Sequence, residues 1–332
     1  MRVKHMIKTV ELKIFLIIFI KKLLFLCNSI NRILGNKIYK YKYKFKNYNC
    51  AIVHNYEEIK EFGEKTANIS DKYYLLNKTS KEKNITKGKV RGWCCCCNKK
   101  TDFNWQIIPK YSNDILFNES FCCPICKMNN RQRALIHIFK MFEKSNPQNK
   151  KIYCYENDTV FMQYLKSKFC INNEIIGSEF FGFDKKPGEI INGVRHEDCM
   201  NLSFKDNELD YILSNDVFEH VPDIHKSLKE ALRCLKVGGK LIFHIPLDLN
   251  REQTLKRAEI INGEILYKAP KEYHGGFSYT DPEGCLVFYN FGRDIFDIIK
   301  DAGFSNTYGI TVQDEKFVNI SSMPLVFFVC EK

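Results

Sequence analysis

The sequence contains little proline and glycine and no long apolar run in its N-terminal part. Nine prolines and 17 glycines in 332 residues exclude a collagen-like or low-complexity chain. The apolar stretch IFLIIFI at 14–20 ends at Lys21-Lys22, and no small-residue cleavage site follows it. A spanning helix over 14–30 would place both lysines inside the bilayer at about 2.5–3.5 kcal/mol each. The sequence therefore predicts neither a spanning helix nor a signal peptide.

Acidic residues are nearly absent from the first 50 residues. This segment holds twelve Lys and Arg against one acid, Glu11, while the whole chain has a net charge of +12. The body is therefore almost neutral and lacks the basic, aromatic-lined track that nucleic acids require. A basic helical arm on an anionic membrane surface explains residues 1–46, since attraction there is worth about 1 kcal/mol per Lys or Arg. A solvated, poorly ordered extension is the alternative.

Length and composition predict a globular protein of more than one domain. The hydrophobic fraction is 45% and the charged fraction 27%, which suits a sizeable core. Changes of composition along the chain predict four segments. They are the basic arm (1–50), a linker with a helix (51–90), a cysteine-rich domain (91–130) and an α/β domain (131–332).

The 15 cysteines do not form a disulfide framework, because seven of them lie between positions 94 and 126. Two pairs, Cys94-x-x-Cys97 and Cys123-x-x-Cys126, have the spacing of zinc knuckles and together predict a structural zinc site with four thiolates. The adjacent Cys95, Cys96 and Cys122 leave open a shift of one ligand by one position. Free thiols and a metal site predict the cytoplasm.

From Lys151 onward, short apolar strands alternate with amphipathic helices. This alternation predicts an α/β fold with a Rossmann-like, doubly wound, mainly parallel seven-stranded sheet, preceded by a small zinc-ribbon-like domain. We expect GVRHED to be the third strand, Asp158 to cap one helix, and Gly238-Gly239 to end the helix that Asp223 begins.

Polar residues end three successive predicted strands. Glu179 follows the second strand, Asp198 the third, and Asn215-Asp216 the fourth. In a doubly wound sheet the ligand lies beyond the carboxyl ends of the strands. A carboxylate after strand two suits the hydroxyls of a ribose, and one after strand three can accept a hydrogen bond from an exocyclic amine. These positions predict an adenosine-containing ligand, although each residue alone is commonly a turn or cap residue.

The segments LDYILSNDVFEHV and LKVGGKLIF resemble the central half of class I S-adenosylmethionine-dependent methyltransferases of the type-11 kind. FCCPICKMNNRQRAL and EYHGGFSYTDPEGC are similar, more narrowly, to bacterial methyltransferases with an N-terminal cysteine-rich domain. The resemblance covers about residues 90–332 and does not include the basic arm. The first turn, CYENDTVF, departs from the superfamily pattern because it contains no glycine.

The resemblance implies S-adenosylmethionine as the cofactor and assigns residues to its parts. Glu179 would hold the ribose hydroxyls, and Asp198 with the backbone of Cys199 would meet the adenine. Glu156 would reach the amino group of the cofactor, and Asn215 and Asp216 would border its methionine end.

Two histidines are candidates for the acceptor side. His274 belongs to an insertion after the fifth strand that can act as a lid, and His220 lies in Asp216-x-x-Glu219-His220. Either imidazole is a candidate base for a hydroxyl acceptor. The Asp–Glu–His trio could also bind a divalent ion, although we favour Glu219 as a cap and His220 as a packing residue.

The sequence therefore predicts a methyltransferase that acts on a small-molecule, glycan or lipid-linked acceptor, with a sugar of a surface polysaccharide as the best guess by analogy. A non-catalytic scaffold with a relic methyltransferase sheet is one alternative, and a nucleic-acid methyltransferase is another. The predicted location is the cytoplasm, with peripheral attachment to the inner face of the membrane.

Deleting residues 1–46 should release the protein from anionic vesicles without removing cofactor binding, because the arm carries nearly all the net charge. Cosedimentation at low salt and at 1 M salt, where the Debye length is about 3 Å, measures this. Neutral vesicles are the control. A full-length protein that stays in the supernatant beside anionic vesicles at low salt would show that the arm has another purpose.

Overall fold

The central sheet is built from strands rich in valine, isoleucine and aromatic residues. The computed structural model describes residues 48–109, 112–143, 149–275 and 278–332, so the predicted arm lies almost wholly outside the described residues. The described residues fall within one structural unit, Tyr48–Lys332. Among them, no helix is both long and apolar enough to cross a membrane.

The strands follow in chain order. They are β1 (Cys50–Val53), β2 (Lys87–Cys94), β3 (Lys99–Gln106), β4 (Lys150–Cys154), β5 (Asn173–Gly177), β6 (Ile190–Ile191), β7 (Val194–Arg195), β8 (Leu209–Asn215), β9 (Leu235–His244), β10 (Leu255–Lys256), β11 (Ala258–Ile261), β12 (Glu264–Tyr267), β13 (Tyr273–His274), β14 (Cys285–Leu286), β15 (Tyr289–Asn290), β16 (Asn306–Val312) and β17 (Leu325–Glu331).

The helices of the described residues are α1 (Tyr56–Lys65), α2 (Ala67–Glu82), α3 (Asn130–Glu143), α4 (Val160–Phe169), α5 (Ile224–Cys234) and α6 (Ile295–Asp301), with a 3₁₀ turn at Phe218–His220.

The seven-stranded sheet confirms the predicted Rossmann-like α/β fold, but it is a mixed sheet and not a mainly parallel one. Its order is β1-β16-β17-β9-β8-β4-β5. The pairs β5–β4, β4–β8 and β8–β9 are parallel, and the other three are antiparallel. All seven residues of β8 are buried, as expected for a parallel strand covered on both faces. The parallel half therefore places the ends of β5, β4 and β8 at one edge.

The predicted third strand is not part of this sheet. Val194–Arg195 pairs instead with Ile190–Ile191 in a short hairpin. Asn192 and Gly193 both have positive φ, which suits a two-residue turn, and this local pairing competes with the sheet. One parallel bridge, Glu179 to His196, remains. The seventh place in the sheet belongs to β1, in a region expected to be a linker.

Two helix boundaries differ from the prediction. Thr159, and not Asp158, caps α4, because its side chain accepts a hydrogen bond from the Met162 amide. Asp223 caps α5 as expected, but the helix ends at Cys234, and Leu235 already begins β9. The glycine pair expected to end the helix lies inside this strand.

A buried arginine joins the cysteine-rich region to the sheet. Arg133 of α3 is fully buried and donates hydrogen bonds to the carbonyls of Phe317 (2.7 Å), Val318 (2.8 Å) and Phe121 (3.1 Å). Its guanidinium also lies 4.1 Å from the ring centre of Phe103 in β3. These contacts join α3, the β2–β3 hairpin, and the loop between β16 and β17.

Replacing Arg133 with Met should lower the free energy of unfolding by at least ~3 kcal/mol, because three buried carbonyls lose their donor. Arg91→Met is the control, since the ion pair of Arg91 with Asp102 is exposed and should contribute about 0–1 kcal/mol. Urea unfolding followed by circular dichroism measures both. Equal losses would contradict the role of Arg133.

Candidate active site and cysteine cluster

The four predicted zinc ligands are brought together. The Sγ atoms of Cys94 and Cys126 are 3.8 Å apart, and those of Cys97 and Cys123 are also 3.8 Å apart. All four sulfur atoms lie within 4.8 Å of one another. A tetrahedral zinc site with ~2.3 Å Zn–S bonds has S–S edges of about 3.8 Å, so the spacing suits this ion.

The neighbouring thiols are outside this group of four and contact backbone carbonyls. The sulfur atoms of Cys95 and Cys96 lie 3.4 Å and 4.0 Å from the carbonyl of Arg133, and that of Cys122 lies 3.5 Å from the carbonyl of Glu119. This arrangement favours the unshifted ligand register. Backbone amides support the cluster, since the Cys97 amide donates to the sulfur of Cys94 (3.5 Å) and the Ile125 amide to that of Cys123 (3.4 Å). Four thiolates would close the coordination shell of a bound zinc ion, as in structural zinc sites.

Polar side chains converge where the three adjacent parallel strands end. Glu156 follows β4, Glu179 follows β5, and Asn215 ends β8. The Asn215 amide donates to Oε1 of Glu156 (2.9 Å). The backbone amides of Asn157 and Asp158 both donate to Oε1 of Glu179, at 2.8 and 3.0 Å. Burial raises the pKa of both glutamates. Glu156 and Asn215 are thus in direct contact, and Glu179 holds the first turn.

The first turn approaches β5 closely without a glycine of its own, because the glycine is Gly177 at the end of β5. A Cβ added there would lie 2.7 Å from the carbonyl oxygen of Glu156. Gly177 therefore lets the first turn pack closely against the end of β5. The sequence analysis missed this residue, although the glycine of EIIGSE marks it.

Asp198 and Cys199 lie beyond the bridge that joins Glu179 to His196. The carboxylate of Asp198 accepts a hydrogen bond from the Met200 amide (2.8 Å) and so forms a turn. Burial raises the pKa of Asp198 and of the Cys199 thiol. No hydrogen bond or ion pair of the described residues joins Asp198 to Glu179, and the bridge from Glu179 to His196 links their two segments.

Asp216 is held by two basic side chains. Its Oδ2 lies 2.8 Å from Nε of Arg131, and its Oδ1 lies 2.6 Å from Nδ1 of His244. Burial would raise the pKa of Asp216, but the charges of Arg131 and His244 outweigh it and hold the pKa well below its ordinary value. Arg131 also contacts Glu119 at 2.6 Å. Neither Arg131 nor His244 was among the site residues predicted from the sequence.

Glu219, His220 and His274 form a third group. The rings of the two histidines are perpendicular, with their centres 5.3 Å apart. The β13–β14 hairpin carries His274 to this place. Burial lowers the pKa of His220 to about 4, so its imidazole is neutral near pH 7. Burial, together with the charge of Asp216, raises the pKa of Glu219 well above its ordinary value.

The insertion after the fifth predicted strand reaches across to the first turn. The hydroxyl of Tyr279 donates to Oδ2 of Asp158 (2.6 Å), and its ring centre lies 4.4 Å from that of Phe181. The insertion therefore contacts both the segment after β4 and the segment after β5.

Comparisons with known proteins point to the same region. Residues 158–243 match the methyltransferase domain family. The chain is 32% identical over 125 residues to demethylmenaquinone methyltransferase of Staphylococcus saprophyticus, covering 33% of this chain and 48% of that protein. It is 38% identical over 71 residues to arsenite methyltransferase of Aquipseudomonas alcaligenes, covering 21% and 20%. The matches thus span less than half of these relatives.

Solved structures are similar at a lower sequence identity. The phosphoethanolamine N-methyltransferase 2 of Haemonchus contortus has 14% identity and a TM-score of 0.35, over 61% of this chain and 53% of that one. The DszA carbon methyltransferase has 10% identity and a TM-score of 0.38, over 63% and 56%. The family match and the sequence relatives support a class I S-adenosylmethionine-dependent methyltransferase domain.

The cysteine cluster should retain about one equivalent of zinc after dialysis against a weak chelator. Cys123→Ser and Cys94→Ser should lose it and unfold the 91–130 region, because a thiolate ligand is removed. Cys122→Ser should keep the metal, since this thiol is outside the group. Elemental analysis and circular dichroism measure both effects. A metal-free wild-type protein with an ordered cluster would refute the site.

Proposed function

We propose that this protein is an S-adenosylmethionine-dependent methyltransferase that methylates an oxygen or nitrogen of a small-molecule acceptor. The observation that carries the proposal is the convergence of Glu156, Glu179 and Asn215 where three adjacent parallel strands end. In open α/β sheets this edge is where ligands bind. The match of residues 158–243 to the methyltransferase domain family supports it.

The residues present suit the cofactor. Oδ1 of Asn215 is buried without a hydrogen-bond partner among the described residues, so it can accept from a ligand donor. The carboxyl group of Glu156 lies beside it, and the two would hold the amino group of the methionine part. Glu179 receives both backbone amides on Oε1, which leaves Oε2 to accept from the ribose hydroxyls. Asp198 and the backbone of Cys199 would meet the adenine.

The cofactor supplies a methyl group on a sulfonium centre, which an acceptor can displace in line. The task of this chain is to align the acceptor and exclude water. The lid contact of Tyr279 with Asp158 would close the cleft over the acceptor. His274 and His220 would face the acceptor, and an unprotonated imidazole there would take the proton of a hydroxyl. His274 suits this task better, because the lowered pKa of His220 makes it a weak base.

The acceptor is proposed only as a class. Sequence relatives are named as methyltransferases of demethylmenaquinone, arsenite and phosphoethanolamine. They support a small molecule. A glycan or lipid-linked acceptor, such as a surface-polysaccharide sugar, is our extension of the family analogy. We also propose a cytoplasmic location, with the basic arm on the inner membrane surface.

Glu179→Ala should weaken S-adenosylmethionine binding by one to two orders of magnitude. The ribose hydroxyls lose a charged acceptor at about 1.5–3 kcal/mol per bond, and each order of magnitude is about 1.4 kcal/mol. Asp198→Ala should cost less, since the adenine keeps its backbone contact. Calorimetry with S-adenosylmethionine and its demethylated product measures the affinity.

Two controls make the result specific. Glu174→Ala removes an exposed carboxylate at the opposite end of β5 and should leave cofactor affinity unchanged. His274→Ala should also leave it nearly unchanged, because this residue is assigned to the acceptor. Wild-type protein that binds no cofactor at millimolar concentration would end the methyltransferase proposal. Equal losses from Glu179→Ala and His274→Ala would show that the pocket is assigned wrongly.

A further inference from the structure

The carboxyl group of Glu219 is buried without a hydrogen-bond partner. The residue is 1% exposed, and neither carboxylate oxygen has a partner among the described residues. A charged carboxylate in such a place is costly unless a cation or a donor compensates it. The residue lies in the 3₁₀ turn directly after β8, beside the proposed cofactor site.

Two imidazoles lie against this carboxylate. Nε2 of His220 is 3.6 Å from Oε1 of Glu219. One ligand atom each from Glu219, His220 and His274 lies within 4.8 Å of the others. A carboxylate and two imidazoles are a donor set that divalent transition metals prefer.

Each imidazole has one nitrogen engaged by the protein. Nδ1 of His220 lies 2.9 Å from the carbonyl of Leu286, and Nε2 of His274 lies 3.0 Å from Oε1 of Glu272. Glu272 is held in turn by Arg257 at 3.2 Å. Donation to a carbonyl or carboxylate leaves the opposite ring nitrogen unprotonated. This is the supporting arrangement found around histidines that bind metals.

The Asp216–Glu219–His220 trio, which the sequence left open as an alternative metal site, does not form. Both oxygens of Asp216 are engaged, one by Arg131 and one by His244. His274, from the insertion, stands in its place beside Glu219 and His220. His274 thus replaces Asp216 in the candidate group. The sequence spacing could not indicate this, because His274 is far from Glu219 and His220 in the chain.

We propose that Glu219, His220 and His274 bind a divalent transition metal ion. Three protein ligands would leave coordination positions for water or for an oxygen of the methyl acceptor. The acceptor role rests on the proposed function. In that role, the metal would replace a histidine base, because a bound metal lowers the pKa of a hydroxyl group that it coordinates. Metal binding itself requires no cofactor.

The test is calorimetric titration with Zn²⁺ alone, on full-length protein whose cysteine cluster already holds about one equivalent. Wild-type protein should show a second zinc site. Glu219→Gln and His274→Ala should each weaken this site at least tenfold, because one of its ligands is removed. S-adenosylmethionine affinity measured on the same samples separates failure of this site from failure of the methyltransferase proposal.

Matched controls are His225→Ala and Glu264→Gln, which change exposed residues outside the group. Both should keep the second site. His274 is partly exposed on a two-residue strand, so His274→Ala remains informative even where Glu219→Gln fails to fold. A wild-type protein without a second zinc site would overturn the proposal, and so would unchanged zinc affinity in His274→Ala. In either case a protonated Glu219 explains the buried carboxyl group.

Discussion

The buried charge of Arg133 is the constraint on which the arrangement of the described residues depends. A guanidinium that is buried away from solvent needs hydrogen-bond acceptors. Here three backbone carbonyls from two separate segments accept from it. These carbonyls belong to the segment before the second cysteine pair and to the loop between β16 and β17. Helix α3, which carries Arg133, therefore cannot shift independently of the cysteine cluster or of the antiparallel half of the sheet.

The same helix extends this constraint to the proposed active site. Arg131, two residues earlier, contacts Glu119 on the cysteine-rich side and Asp216 at the end of β8. The pair of Arg131 with Asp216 is largely shielded from water, because the two side chains are 13% and 16% exposed, and it is stronger than a pair at the surface. The Glu119 side chain is 47% exposed, so solvent screens its pair with Arg131 more. The segment before the second cysteine pair is thus connected to the proposed site, since its Glu119 pairs with the same arginine that contacts Asp216.

Elements with strong local sequence patterns formed as predicted. Elements for which two local structures or two capping residues compete did not. The buried run of β8 and the cap at Asp223 needed only nearby residues. The segment GVRHED contributes to a short hairpin instead of the expected sheet strand, because Asn192-Gly193 favours a two-residue turn. Thr159 displaced Asp158 as a cap because both have suitable side chains and only the backbone conformation chooses between them.

The sequence alone determined the paired cysteine spacing, the alternation of strands and helices, and the carboxylates that follow β4 and β5. Each of these depends on a short stretch of chain or on the general rule that parallel strands end at one edge of a sheet. Only the tertiary structure decided that Gly177 makes room for a first turn without glycine, that Arg131 and His244 engage Asp216, and that His274 joins Glu219 and His220. Those contacts join segments far apart in the chain, and their partners are selected by packing and by the need to compensate buried charge. The spacing of residues in the sequence does not show which of these distant segments contact one another.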